Sequence, residues 1–212
     1  MKSFLPLLLF IILFWSCKQE KSTQASEEST IENKITTTDT EISEDLGRAV
    51  FKTSTGKSII LITDEKSSSL NDLKIIPLDF ANTNDTLKIE DCDPLQNAWT
   101  QDLDQNGFDE LYLMTASAGS GSYATIYGYA SNQDLSMTSI YVPEISESDL
   151  LADGDYYGYM GHDSIYVANN KIYRKYPVYK EGDPNCCPSG GDKTLSYTLK
   201  QGEASWILKI EN

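Results

Sequence analysis

From residue 48 onward, short runs in which apolar and β-branched side chains alternate with polar ones recur along the chain, separated by turn-forming residues. This alternation is typical of β-strands, because successive side chains of a strand point to opposite faces. The predicted strands are residues 50–52, 58–63, 73–80, 86–90, 97–103, 110–117, 123–130, 137–142, 164–168, 171–179, 194–200 and 204–210. Residues 149–153 predict one helical turn. The pattern predicts an all-β single domain, either an antiparallel β-sandwich or a flattened barrel.

Residues 1–17 have the pattern of an export signal. Lys2 precedes an apolar run, residues 4–15, that is too short to span a membrane as a mature helix, and Ser16 then precedes Cys17. The segment is typical of a bacterial lipoprotein signal peptide, with cleavage before Cys17 and a lipid anchor on it. An ordinary secretory signal and an uncleaved anchor are the alternatives. Lipid attachment predicts a protein of the bacterial cell envelope, held to the outer membrane by more than one acyl chain.

The region after the signal is polar and the chain as a whole is acidic. Residues 18–46 are mostly Ser, Thr, Glu, Lys, Gln and Asp, which predicts a disordered tether before a β domain at 47–212. The sequence has 32 acidic and 17 basic residues, a net charge of −15. This charge argues against nucleic acid as a partner, since phosphate binding needs basic surface. It favours a cationic partner, although solubility alone is a sufficient explanation.

A run of small and hydroxyl-bearing residues connects two predicted strands rich in Tyr, Leu, Ile and Thr, which suit a half-buried sheet. Gly119 and Gly121 allow the backbone to approach a partner closely. Ser120, Ser122 and Tyr123 place hydroxyl groups around that bare backbone. Such a loop fits a narrow site and offers hydrogen bonds. A flexible Gly/Ser hairpin loop is the alternative.

Oxygen-bearing residues recur at alternate positions before the strand at 110–117, with Gly107 at the sixth position of the run. This spacing is typical of the first part of a calcium loop, in which alternate residues turn inward and glycine permits the bend. The twelfth-position Glu of an EF-hand is absent, because Leu113 stands there. An Asn-Gly hairpin with solvated acids is the alternative. The candidate ligands are the side chains of Asp102, Asp104, Asn106 and Glu110 and the carbonyl oxygen of Phe108.

The cysteines leave several pairings open. With Cys17 assigned to lipid, Cys92, Cys186 and Cys187 remain, and an exported compartment permits disulfides. Cys92 can form a disulfide with Cys186 or with Cys187, which leaves one free thiol, or Cys186 can bond to Cys187. An enzyme is not expected. His162 is the only histidine, and neither loop serine has the glycine spacing of a hydrolase nucleophile.

Five segments in this order resemble the family of periplasmic inhibitors of I-type (invertebrate) lysozyme: residues 102–111, 120–123, 159–163, 176–183 and 202–209. The similarity extends from about residue 73 to the C-terminus. The resemblance implies an all-β inhibitor whose Ser-Gly-x-Tyr loop enters the lysozyme cleft. It also implies a homodimer.

The matching loop residues are Ser120, Gly121 and Tyr123, with Ser122 at the free position. The chain departs from the family in its predicted lipid anchor and acidic tether, and in the adjacent pair Cys186 and Cys187. A calcium-stabilised binding or adhesion module on the cell surface is the alternative function. A carbohydrate-active enzyme is a third.

Overall fold

The structure is a computed structural model that describes residues 47–211. In this range the chain forms twelve strands and no α-helix. The strands are β1 Arg48–Lys52, β2 Ser58–Ser67, β3 Leu70–Leu78, β4 Leu87–Cys92, β5 Leu95–Gln101, β6 Glu110–Ala116, β7 Ala124–Ser131, β8 Met137–Ile140, β9 Ser164–Ala168, β10 Lys171–Pro177, β11 Asp192–Gln201 and β12 Trp206–Glu211. One 3₁₀ turn, Glu147–Leu150, overlaps the predicted helical turn.

The strands form three four-stranded sheets, in the orders β1-β2-β3-β4, β5-β6-β7-β8 and β12-β11-β10-β9. Every paired strand is antiparallel to its neighbour, and neighbours in a sheet are neighbours along the chain. The predicted all-β antiparallel fold is confirmed. The flattened-barrel alternative is not observed, because no sheet within residues 47–211 closes on itself.

The sheet β5–β8 packs on both other sheets, one on each of its faces. Leu111 and Leu113 belong to the apolar core shared with sheet β1–β4. Tyr112, between them, belongs to the core shared with sheet β9–β12. The three side chains have no exposed surface. A half-buried sheet was expected here, and for β6 that is wrong, since its apolar residues continue on both faces.

β6 also joins the two segments that carry candidate chemistry. The acidic loop, residues 102–109, precedes it, and the hydroxyl loop, residues 117–123, follows it. The predicted signal peptide with Cys17 and the predicted tether, residues 18–46, lie outside the described residues. Among residues 47–211, no helix has the length and apolar character needed to cross a bilayer.

Candidate functional site

The hydroxyl loop is closed at its neck by two hydrogen bonds. The Ser117 amide donates to the Tyr123 carbonyl (3.0 Å), and the Tyr123 amide donates to Ser117 Oγ (2.9 Å). The Ser122 amide donates to the Gly119 carbonyl (3.1 Å) and makes the turn at the tip. Ser120, Ser122 and Tyr123 are exposed, and Tyr123 keeps 45% of its surface in solvent. The loop therefore presents an aromatic ring and serine hydroxyls on a short, closed backbone.

Two glycines fix the path of this loop. A Cβ on Gly121 would overlap the ring of Tyr123, which lies over the Gly121 backbone. The Gly121 carbonyl accepts a hydrogen bond from the His162 amide (2.6 Å). Gly161, with φ of +85°, lies so close that its own Cβ would overlap the Gly121 carbonyl oxygen. The segment around Gly161 is therefore fitted to the loop backbone and tolerates no side chain at that position.

Buried charged residues clamp the backbone immediately after Tyr123. Asp163 Oδ2 accepts hydrogen bonds from the Ala124 amide (2.9 Å) and from the Tyr159 hydroxyl (2.6 Å). The guanidinium of Arg174 donates to the Ala124 carbonyl (3.2 Å). Arg174 Nε lies 3.9 Å from Asp163 Oδ1, and the two side chains are 5% and 0% exposed. The backbone N–H and C=O of Ala124 are thus each held by one member of a buried ion pair.

Aromatic rings surround that ion pair. The Arg174 guanidinium carbon lies 5.7 Å from the ring centre of Tyr156 and 5.9 Å from that of Tyr159. Such cation–π contacts stabilise a desolvated cation. Burial, followed by the hydrogen bond to Asp163, raises the pKa of Tyr159 above its ordinary value. Tyr159 therefore stays a neutral hydrogen-bond donor to the Asp163 carboxylate at physiological pH.

The exposed ring of Tyr123 rests on this buried aromatic cluster. Its edge meets Tyr159, with ring centres 5.7 Å apart at 77°. Tyr159 in turn meets Tyr176 edge to face at 4.9 Å. Edge-to-face pairs of this kind are attractive beyond the area they bury. The position of Tyr123 is therefore set by the core beneath it.

A second loop, residues 183–189, lies beside the hydroxyl loop. Asn185 Nδ2 donates to Ser120 Oγ across 3.5 Å, and the Asn185 carbonyl accepts from the Tyr179 hydroxyl at 2.9 Å. Cys186 and Cys187 form a disulfide between adjacent residues, and both are exposed. The structure therefore adds an exposed disulfide to the border of the hydroxyl loop.

Cys92, included among the candidate disulfide cysteines, is unpaired. It is 5% exposed in the core shared by sheets β1–β4 and β5–β8, and its thiol donates to the Asn71 carbonyl (3.3 Å). Burial raises its pKa, which keeps the thiol protonated. Its place in the core, away from Cys186 and Cys187, excludes both pairings that used it.

The acidic loop brings three predicted ligands together. Carboxylate oxygens of Asp102, Asp104 and Glu110 all lie within 4.8 Å of one another. The amide of Asn106 donates to both aspartates, and its side chain binds Asp104 Oδ2 (3.1 Å). Phe108, whose carbonyl is the fifth candidate, donates its amide to Asn106 Oδ1 (2.8 Å). The backbone of the loop is therefore folded around its carboxylates.

Glu110 is the buried member of this group, with 1% of its surface exposed. Its Oε2 accepts from the Leu103 amide (2.9 Å). Burial raises the pKa of Glu110 to about 8, and the charges of Asp104 and Asp102 act in the same direction. Among residues 47–211, no Lys or Arg forms an ion pair with it. Three converging carboxylates without a cationic side chain fit a hard divalent cation such as calcium.

Comparisons of the chain with protein-family models, with curated proteins and with solved structures each found no match. The functional proposal therefore rests on the residues and on their geometry. Sequence reasoning missed three residues that position the hydroxyl loop, namely Arg174, Tyr156 and Asn185. Only Arg174 left a readable signal, because it occupies an inward position in the alternation of β10 between buried Ile172 and Tyr176.

Proposed function

We propose that the chain is a proteinaceous inhibitor of I-type lysozyme and that its hydroxyl loop enters the active-site cleft of that enzyme. One observation carries the proposal. The exposed side chains of Ser120 and Tyr123 stand on a narrow loop whose base is held by the buried Asp163–Arg174 pair. The resemblance to lysozyme inhibitors supports an inhibitory role for the same loop.

The chemistry of these residues suits a lysozyme cleft. A lysozyme cleaves its substrate with two acids that flank the scissile bond, one protonated and one ionised. A serine hydroxyl can donate to the carboxylate or accept from the carboxylic acid. A tyrosine ring can fill a groove shaped for a sugar while its hydroxyl reaches a polar partner. No turnover by the inhibitor is expected, because it occupies the place of substrate.

A fixed loop also favours tight binding. Ordering a flexible segment on association costs about 0.5–1.5 kcal/mol for each immobilised side chain. The ring of Tyr123 already packs on Tyr159, and the Gly121 carbonyl is already bonded to the His162 amide. The net charge of −15 speeds encounter with a cationic enzyme.

The direct test is a titration of the full chain, in mild detergent, into I-type, chicken-type and goose-type lysozymes while lysis of bacterial cell walls is followed. We expect inhibition of the I-type enzyme, with competition by a chito-oligosaccharide that fills the same cleft. Absence of inhibition in all three enzymes would contradict the proposal. Gly121→Val is expected to abolish inhibition, because its side chain displaces Tyr123.

We also propose that Cys17 carries a lipid anchor that places the inhibitor at the outer membrane of the cell envelope. The support is the leader pattern of residues 1–17. The Cys17→Ser variant should be released from membranes, whereas the wild type should partition into the detergent phase. Equal partitioning of the two proteins would refute the anchor.

A second candidate function is a calcium-stabilised binding or adhesion module on the cell surface, without inhibitory activity. The observation that favours it is the convergence of Asp102, Asp104 and Glu110. These carboxylates would hold the ion with Asn106 and the carbonyl of Phe108, and calcium would supply a positive charge to the buried carboxylate. On this account Ser120 is dispensable for binding, which separates it from the inhibitor.

A further inference from the structure

We propose that the disulfide-bearing loop, residues 183–189, is a second contact element that touches the rim of the lysozyme cleft beside the hydroxyl loop. This inference rests on the proposed function and extends its binding surface. It assigns a role to Cys186, Cys187 and Asn185 that the resemblance to the lysozyme-inhibitor family does not include.

The first step concerns the area that a protein–protein interface must cover. A stable protein–protein interface covers about 800 Å² on each partner and about 20–30 residues. The hydroxyl loop has only residues 117–123, so an enzyme seated on Ser120 must also cover the surface around it. The Asn185 amide lies 3.5 Å from Ser120 Oγ, and residues 184–187 are all exposed. The disulfide-bearing loop is therefore within the footprint of any partner that holds Ser120.

The second step is that this loop is already ordered. Asp183 Oδ2 accepts from the amides of Lys180 (2.8 Å) and Ser189 (2.7 Å), which ties its two ends together. The Cys187 amide donates to the Pro184 carbonyl (2.9 Å). The bond between adjacent cysteines closes a small ring at the tip and restricts the backbone there. A contact made through this loop loses little conformational freedom on binding.

The third step concerns the direction of the Ser120 hydroxyl. The Asn185 amide nitrogen lies 3.5 Å from Ser120 Oγ, so this contact uses one acceptor position of that oxygen and leaves its O–H free to donate to a partner. A free O–H suits an ionised carboxylate. We infer that Ser120 donates to the ionised acid of the lysozyme pair, while the disulfide and its flanking Pro184 pack against the rim.

The test measures binding of the full chain, in mild detergent, to immobilised I-type lysozyme. Asn185→Arg adds a charged side chain next to Ser120, and we expect affinity to fall about a hundredfold, as for a central contact of an interface. Cys186→Ser/Cys187→Ser removes the ring at the tip, and we expect a loss of about tenfold through looser ordering. The matched control is Ala204→Arg, which adds the same charge to an exposed turn at the opposite end of β11.

The outcomes separate the two proposals. Wild-type affinity in the Asn185→Arg and cysteine variants, with weakened binding in Ser120→Ala, would overturn the second contact element and leave the inhibitor intact. No binding by the wild type to the enzyme would overturn both. An equal loss in Ala204→Arg would show a general charge effect and would also overturn the inference. Native circular dichroism is required of each variant, and if one fails to fold, the other decides.

Discussion

The two loops at the ends of β6 are held in opposite ways. In the acidic loop, Asp102 accepts hydrogen bonds from the amides of Asn106 (3.0 Å) and Gly107 (2.9 Å), at most five residues away. In the hydroxyl loop, the clamp on Ala124 comes from Asp163 and Arg174, which lie 39 and 50 residues later in the chain. The acidic loop is organised mainly by its own sequence, with one long-range hydrogen bond from the Ser54 amide to Asp109 Oδ2. The hydroxyl loop has local bonds at its neck and tip, but the clamp at its base belongs to a core that the rest of the domain must build first.

This difference separates two kinds of functional loop. A loop folded around its own carboxylates is held by local hydrogen bonds, so its shape is already formed before an ion binds. The internal hydrogen bonds of the hydroxyl loop hold its backbone but not the ring of Tyr123, so a fixed position for that ring must come from outside the loop. The buried ion pair beneath the hydroxyl loop supplies this, and substitutions there should cost more stability than substitutions in the acidic loop.

The largest expected effect follows from breaking the clamp. Asp163→Ala leaves the Arg174 guanidinium buried without its partner and frees the Ala124 amide, and we expect a loss of about 3–5 kcal/mol in the free energy of unfolding. Asp102→Ala, in the presence of chelator, removes partly exposed local bonds and should cost about 1 kcal/mol. Urea denaturation followed by circular dichroism measures both. Equal losses would contradict the proposed difference between the loops.

A compensated variant sharpens this result. In Asp163→Leu/Arg174→Met, apolar side chains replace both charged side chains and fill much of their space, so no buried charge is left unpaired. We expect the double variant to be more stable than Asp163→Ala, because breaking a buried pair costs more than replacing it. The hydroxyl loop should nevertheless lose inhibitory power, since the Ala124 peptide is no longer clamped. Inhibition at the wild-type level would show that the clamp does not position the loop.

Two glycines give the next comparison. Gly161 and Gly107 both have a positive φ, of +85° and +91° respectively. A Cβ added at Gly161 would overlap the Gly121 carbonyl oxygen, whereas a Cβ added at Gly107 would have no atom within 4 Å. Gly107→Ala should cost about 1–2 kcal/mol from backbone conformation alone. Gly161→Ala should cost about 1–3 kcal/mol more from overpacking. Thermal unfolding in chelator checks the order, and a Gly107→Ala variant as unstable as Gly161→Ala would refute it.

The last comparison concerns the effect of calcium on the acidic loop. Calcium at tenfold above its dissociation constant stabilises the folded state by about 1.4 kcal/mol, or about 3–5 °C in Tm. Asp104→Asn should lose this gain without changing lysozyme inhibition, while Ser120→Ala should keep it. Calorimetry with millimolar calcium against chelator provides the measurement. An unchanged Tm in the wild type would leave only the hairpin interpretation of this loop.

The strands and the acidic loop were readable from the sequence, because both follow from local patterns. The limits are instructive at β2, predicted to end at Thr63 but extending to Ser67. Its polar end is a strand because it pairs with β3, with Asp64 opposite Asp72 and Glu65 opposite Asn71, and not because of its own alternation. Pairing of this kind depends on the register of another strand.

The support of the hydroxyl loop was readable only in part. The alternation in β10 places Arg174 on the core side, and a buried arginine requires a partner. Which carboxylate that is, and which residue's backbone the two side chains then hold, depends on how sheets β5–β8 and β9–β12 pack together. The pairing of the cysteines was likewise undetermined, since the burial of Cys92 follows from packing between sheets.

The most direct test of the central claim is the inhibition constant of Ser120→Ala/Tyr123→Ala against I-type lysozyme. Ser120→Ala alone removes a hydrogen bond to a charged group, about 1.5–3 kcal/mol, or roughly tenfold to more than a hundredfold in affinity. Tyr123→Ala should cost at least as much, and Ser122→Ala, the matched control, should cost less. The account predicts a double variant with native circular dichroism and no measurable inhibition. A folded double variant that inhibits as strongly as the wild type would contradict it and place the binding surface elsewhere.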